Sequence, residues 1–376
     1  MRRAAVALTV FAAACGGEGG GVKTADIRID PTPVLSIGVE EGDEPYQLHL
    51  VRDAIRLADG RVVVANTGSQ ELRIFDAAGR YTGALGRRGG GPMEFSEMSS
   101  MLLHPLGDGI VAADDGVFRV HHIGADLRYR TTRAFSLSTE TPRPFLRAVA
   151  ANGDLIATAF ADGGRLTGQP GQVLPSSYHI LRYDSLGTLR DTVLQLPSRP
   201  RFVNEHAGSV HFPYLPLSSE TLWAVDGDRL VLVSPVAPVL EFRGFDGQVT
   251  GEEAWMRARV RTADVWEEYQ RRALAQMRGA DSARYAALYA KALPMPEYAP
   301  LYQGIKLDGA RRIWLERFRM PGVTQQRWDV LSPEGKLLGE VATPEGVTVL
   351  RIGRDHLVGR ARDSLGVERV QIFRVE

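Results

Sequence analysis

Three groups of residues in this chain have the type and spacing to do chemistry. The first is the run Arg87-Arg88-Gly89-Gly90-Gly91. Consecutive glycines let the backbone aim several N–H groups at one point, and such a nest beside two guanidinium groups can hold an anion. No Gly-Lys-Ser or Gly-Lys-Thr follows, so the run is not a nucleotide-binding P-loop, and the same glycines serve equally to turn the chain tightly. The candidate anion nest is Arg87, Arg88, Gly89 and Gly90. The second group is the eight histidines. His121 and His122 are adjacent and on a strand point to opposite faces, His206 and His211 lie in a loop-like stretch with Asn204 and Glu205, and no His-Glu-x-x-His occurs. These spacings predict no metal ligand set and no cofactor. The third group is arginine and histidine set among aromatics ahead of inner strands: Phe145-Leu146-Arg147, Arg201-Phe202, His211-Phe212-Pro213-Tyr214 and Tyr298-Ala299-Pro300-Leu301-Tyr302. Arg, Tyr and Trp dominate recognition surfaces, although packing between strands uses the same aromatics. Arg147, Arg201, His211, Tyr214, Tyr298 and Tyr302 are therefore the candidate ligand-binding residues. No Gly-x-Ser-x-Gly elbow is present, and no catalytic residue is assigned.

The elements that must position these residues show themselves through a recurring turn. Asp59-Gly60, Asp108-Gly109, Asn152-Gly153, Asp226-Gly227 and Asp308-Gly309, with a weaker copy at Gly353, each sit inside alternating apolar runs. Such pairs predict two-residue type I′ hairpins, because both central residues tolerate positive φ. The first block reads as a complete four-stranded meander: Ala54-Ile55-Arg56-Leu57, Val62-Val63-Val64-Ala65, Leu72-Arg73-Ile74-Phe75 and Tyr81-Thr82-Gly83-Ala84-Leu85, with a second turn at Asp76-Ala77-Ala78-Gly79. A period of roughly 40–50 residues is that of propeller blades. The sixth block ends at Glu376 with only three strands spent, while Val34-Leu35-Ser36-Ile37 near the N-terminus belongs to no block. Closing the last blade with that strand removes both the deficit and an exposed edge. The expected fold is thus all-β, a six-bladed β-propeller over residues 26–376 closed by an N-terminal strand.

The period changes between the fourth and fifth blocks. Residues 252–293 are rich in Ala, Arg, Glu and Leu, without proline and with one interior glycine, Gly279. Trp255, Val265, Trp266, Tyr269 and Leu274, then Tyr285, Leu288 and Tyr289, fall on helical spacing. Two helices are expected, broken near Gly279-Ala280, the second capped at Asp281 or Ser282 and stopped by Pro294 and Pro296. This insertion, about 252–297, must lie on a face of the disc and is expected to cap one mouth of the channel.

The N-terminus differs in kind. Arg2 and Arg3 precede an apolar stretch from Ala4 to Ala14 that meets Cys15, the one cysteine of the chain. The stretch is shorter than the roughly 20 residues a spanning helix needs and fits a signal-peptide h-region. Ala12-Ala13-Ala14 before Cys15 resemble a bacterial lipobox, which predicts a signal peptide over 1–15, lipid attachment at Cys15 and a flexible tether over 16–25. An ordinary secretory signal is the alternative. The expected location is the cell envelope, in the periplasm and on the outer membrane if the cell is Gram-negative. One cysteine permits no internal disulfide, so stability must come from a large core. Lys plus Arg equals Asp plus Glu at 45 each, so no global field favours nucleic acid.

The blocks resemble a bacterial family of six-bladed β-propeller lipoproteins related to NHL-repeat and TolB-like propellers. The matching residues are Leu57-Ala58-Asp59-Gly60 with Val62-Val63-Val64-Ala65, Ile74-Phe75-Asp76 with Gly79, and Gly86 through Phe95. In the family that last link ends Gly-Pro-Gly-Glu-Phe, and Met93 stands here for the second glycine. The resemblance implies the fold and no particular reaction. Two functions are carried forward. One is a non-catalytic propeller that binds an envelope protein, peptide or glycan. The other is a calcium-dependent, lactonase-like hydrolase at the central channel, since related lactonases hold calcium there with Asp, Asn and Glu.

Overall fold

The computed structural model describes residues 27–96, 100–138, 143–161 and 166–376. The expected signal peptide, Cys15 and tether lie outside the described residues. Six four-stranded antiparallel sheets follow one another along the chain. After β1 (Leu35–Ile37), blade 1 is β2 (Val51–Arg56), β3 (Val62–Asn66), β4 (Glu71–Phe75) and β5 (Tyr81–Leu85). Blade 2 is β6 (Leu103–Leu106), β7 (Gly109–Asp114), β8 (Arg119–Ile123) and β9 (Tyr129–Ala134), and blade 3 is β10 (Phe145–Val149), β11 (Leu155–Phe160), β12 (Val173–Tyr183) and β13 (Leu189–Phe202). A small hairpin, β14 (Asn204–His206) and β15 (Ser209–His211), precedes blade 4: β16 (Leu222–Asp226), β17 (Arg229–Val233), β18 (Val239–Gly244) and β19 (Val249–Ala254). Helices α1 (Thr262–Gln276) and α2 (Ala280–Tyr289) come next. Blade 5 is β20 (Tyr302–Leu307), β21 (Ile313–Arg317), β22 (Arg327–Leu331) and β23 (Leu337–Ala342), and β24 (Val347–Ile352), β25 (His356–Arg362) and β26 (Glu368–Arg374) make three strands of blade 6.

The fourth strand of blade 6 is β1, which pairs with β26 through Leu35↔Ile372 and Ile37↔Val370. The ring therefore closes as the strand count requires. Blade 6 is also tied to blade 1 from the other side: the Val51 N–H donates to Glu368 at 2.6 Å, and Arg360 donates to the Val51 carbonyl at 2.7 Å.

Each seam between successive blades is an apolar cluster, six in all. This explains why β3, which reads Val-Val-Val-Ala, is buried at every position although strands alternate their faces. Val62 and Val64 pack toward blade 6, while Val63 and Ala65 pack toward blade 2. A strand covered on both faces loses the apolar–polar alternation and reads as a continuous hydrophobic run.

The turns differ from the expected type. Between β2 and β3 the Leu57 N–H donates to the Arg61 carbonyl and the Gly60 N–H donates back to Leu57, with Gly60 at φ +89°. This is a three-residue connection closed by a left-handed residue, not a two-residue type I′ turn. The same pattern recurs at 76–80, 150–154, 184–188, 308–312 and 363–367. An aspartate often opens it: Asp76, Asp184, Asp308 and Asp363 each accept from two later backbone N–H groups. Two-residue turns do occur after β6 and β16, where Gly107 and Gly227 take positive φ. Gly109 and Gly309 are needed for a different reason, since a Cβ would lie 2.3 Å from the Ile123 carbonyl oxygen and 2.7 Å from the Arg354 nitrogen.

The insertion also departs from its expected bounds. Residues 252–254 complete β19, and Trp255 is not helical but buried, its Nε1–H donating to the Tyr302 hydroxyl at 3.0 Å. The break between helices falls at Gly279, but Gly279 itself occupies the cap position of α2 and no side chain caps it, so neither Asp281 nor Ser282 does. The second helix ends at Tyr289, ahead of Pro294. The helices pack Trp266, Tyr269, Leu288 and Tyr289 against Phe202 at the end of β13 and Leu215.

Candidate functional site

The first strand of every blade lines a central cavity of about 890 Å³. One residue from each blade in turn, Ile55, His104, Arg147, Trp223, Lys306 and Arg351, shows how the ring builds the wall. A cavity of this size is in the range of small-molecule sites. Its charged lining is Arg56, Arg147, Lys306 and Arg351 against Glu220 and Asp308.

The carboxylates near the axis are committed to structure. Asp53 accepts the N–H of Ala54 and, across the blade boundary, that of Leu103, both at 2.9 Å, and pairs with Arg351 at 2.5 Å. Blades 6, 1 and 2 thus meet on one carboxylate. Asp308 opens a turn and accepts from Arg312 at 2.5 Å and from the Trp314 indole at 2.9 Å. Glu220 accepts from Ser198 at 3.1 Å. Among the described residues no three His, Cys, Asp or Glu side chains are grouped to hold one metal ion.

The cations keep donors to spare. Arg147 gives its Nε–H to Thr158 at 3.0 Å, and a guanidinium has five N–H donors. Lys306 reaches the Leu350 carbonyl at 3.0 Å, and burial pushes its ammonium below the usual lysine range. The Arg351 Nε is buried without a hydrogen-bond partner. His104 is 8% exposed, and its Nε2 also has no partner. Burial first, then the charges of Arg351 and Arg147, lower the His104 pKa to about 3, so this imidazole is neutral in the folded chain.

The residues singled out in the sequence fall into three places. Arg147 is on the channel wall. Arg201, His211 and Tyr214 line a second cavity of about 300 Å³ beside Arg284 and Tyr285 of α2. Arg201 lies 4.0 Å over the Tyr214 ring and donates to its hydroxyl at 2.9 Å, while Arg199 covers the same ring at 4.7 Å. Arg201 is on β13 rather than in a loop before an inner strand, because β12 and β13 run well past the blade. Tyr214 borders the central cavity as well, so the helical insertion stands beside one mouth of the channel. Tyr298 pairs with Arg261 and lies 3.4 Å under the Arg259 guanidinium. Tyr302 is 1% exposed, and its hydroxyl donates to Asp329 at 2.6 Å. It is part of the packing between blades 4 and 5 and is not at the channel mouth.

The glycine-rich link holds an anion of its own. The Gly91 N–H donates to Glu94 Oε2 at 2.7 Å, and Arg87 pairs with Glu94 at 2.7 Å. The Gly91 N–H, then Arg87, hold the Glu94 carboxyl below the usual range. Of the expected nest of Arg87, Arg88, Gly89 and Gly90, Arg87 is engaged by Glu94 and the Gly89 N–H by the Phe95 carbonyl. Sequence reasoning passed over Lys306, Arg351 and His104. The signal was present in two of them: each is a lone cation in an apolar inner strand, Ile305-Lys306-Leu307 and Leu350-Arg351-Ile352.

Blade count, ring closure and central cavity define the chain as a six-bladed β-propeller. Residues 49–135, covering blades 1 and 2, match a family model described as a 6-bladed beta-propeller, DUF5128. No curated protein matches the chain. Similar solved structures include a Bacteroides fragilis protein described as exported, 12% identical, covering 93% of this chain and 95% of that one, with a TM-score of 0.49. A DUF4221 family member from Bacteroides vulgatus is 12% identical over 94% and 99%, with a TM-score of 0.47. Virginiamycin B lyase from Staphylococcus aureus is 10% identical over 93% and 99%, with a TM-score of 0.44.

Proposed function

We propose that this propeller is a non-catalytic ligand-binding lipoprotein of the bacterial cell envelope, with its ligand seated in the central channel. The observation that carries this reading is the cavity of about 890 Å³ walled by all six blades, whose nearby carboxylates are already bonded to backbone N–H groups, arginines, Ser198 and the Trp314 indole. A lactonase-type calcium site would need several of those carboxylates released at once. Location rests on the Arg2-Arg3 and Ala4–Ala14 pattern before Cys15. No described helix is long and apolar enough to cross a membrane. In this reading the attachment is a lipid on Cys15. An envelope protein, peptide or glycan remains the partner class, presented to the channel mouth beside the helices.

The test is equilibrium dialysis of the protein against a pool of small carboxylic acids, lactones and glycan fragments, followed by mass spectrometry. Retention of a compound that is recovered unchanged is the expected result. Time-dependent conversion that is lost on boiling the protein contradicts it.

A further inference from the structure

We infer that the channel selects a small organic anion, whose oxyanion head is held among Arg147, Lys306 and Arg351 while its apolar body lies against Trp223. This rests on the binding reading above and names the ligand class for the same site. Three independent strands, β10, β20 and β24, bring the three cations to one cavity, and each enters from a different blade. Such convergence is not required for packing, since cations facing one another across a cavity repel and lose hydration.

The cluster is undercompensated. Asp53 pairs with Arg351 through one of its terminal nitrogens, and the carboxylates that line the cavity itself, Glu220 and Asp308, are bonded elsewhere. Lys306 has one carbonyl acceptor, Leu350, and its ammonium carries three donors. His104, more than nine-tenths buried on the same wall and neutral, adds no charge that would offset the cations. Arg147 and Lys306 each line the cavity with more N–H donors than the single bond that holds them uses, and an acceptor placed in the cavity can meet those donors. An oxyanion supplies several acceptor lone pairs to planar guanidinium forks and to a point-charge ammonium. It also favours the charged form of Lys306, which burial disfavours. The half-buried Trp223 and neighbouring Leu222 give an apolar body somewhere to rest.

The test compares two fluorescent probes with the same ring system, the anion 1-anilinonaphthalene-8-sulfonate and neutral N-phenyl-1-naphthylamine, on the full chain carrying Cys15→Ala. The sulfonate is expected to bind at least tenfold more tightly and to be displaced by benzoate or phenyl phosphate. Arg147→Gln and Lys306→Met are each expected to weaken it about tenfold, the order of one charge-assisted hydrogen bond, with circular dichroism unchanged. The wild-type comparison of probes stands even if a variant fails to fold. Equal binding of the two probes, or sulfonate binding that neither acid displaces, overturns the anion inference and leaves the ligand channel standing. No binding of either probe at millimolar concentration overturns both.

Discussion

At the scale of single residues, the chain stores pH sensitivity in imidazoles that burial holds neutral. His104 is lowered to about 3, and His121, buried against Phe95 with its Nδ1 bonded to Thr132 at 2.8 Å, is lowered to about 4, mainly by burial. Both are neutral in the folded chain, whereas the unfolded chain takes up these protons near pH 6.5. The stability they confer is complete above pH 6.5 and is lost as pH falls toward 4. The slope reaches about 1.4 kcal/mol per pH unit for each histidine. Carboxylates held low by their turns, such as Asp76 and Asp184, protonate only below that window. Urea unfolding between pH 4.5 and 7 should show this slope, to which His122, also lowered by burial, adds, and His121→Gln should reduce it by about a third. A second prediction concerns Asp329, fully buried and bonded by Tyr302, Arg257 and Arg317. Replacing it with Ala leaves the buried Tyr302 hydroxyl without its acceptor and leaves Arg257 and Arg317 to share Glu340 alone, and should cost about 3 kcal/mol, read as a lower urea midpoint. Little of this was legible in the sequence. Asp329 is one of many aspartates until the fold brings Arg257, just before the helices, and Arg317 of blade 5 to it.

At the scale of elements, the hydrophobic pattern of the sequence marks the strands, while the local chemistry of the turns is less legible. Apolar runs at Val62–Ala65 and Ile313–Leu315 became strands because two neighbouring blades cover both of their faces. The Asp-Gly signal marked hairpins, but it did not distinguish a two-residue turn from the three-residue form that an opening aspartate and a left-handed residue build together. Helical spacing likewise enrolled Trp255, whose indole bonds Tyr302 and which only tertiary packing removes from the helix. The strand that closes the ring gives a sharp prediction. Ile37 is 1% exposed in the seam between blades 6 and 1, whereas Leu35 is half-buried. Ile37→Ala should lower stability by about 2–5 kcal/mol in urea unfolding, and Leu35→Ala by clearly less.

At the scale of the whole molecule, six seams close a ring and leave a lined space on its axis, and function is argued from that space. The ring could be counted from repeats because each blade repeats the same turn and strand chemistry. The channel could not, because its wall takes two to four residues from each of six distant strands. The aromatic run Phe145-Leu146-Arg147 marks Arg147 in the sequence, whereas Lys306 and Arg351 are hidden inside apolar runs. The N-terminal pattern makes its own prediction: the wild-type chain should incorporate radiolabelled palmitate and fractionate with membranes, and Cys15→Ser should do neither. The most direct measurement of the central claim blocks the channel itself. Thr221 lines the cavity, and Cys15→Ala with Thr221→Cys leaves one thiol in the chain. After that thiol is coupled to a bulky maleimide, binding of 1-anilinonaphthalene-8-sulfonate should be abolished while circular dichroism is unchanged. Undiminished binding with the label in place would contradict a ligand site in the channel.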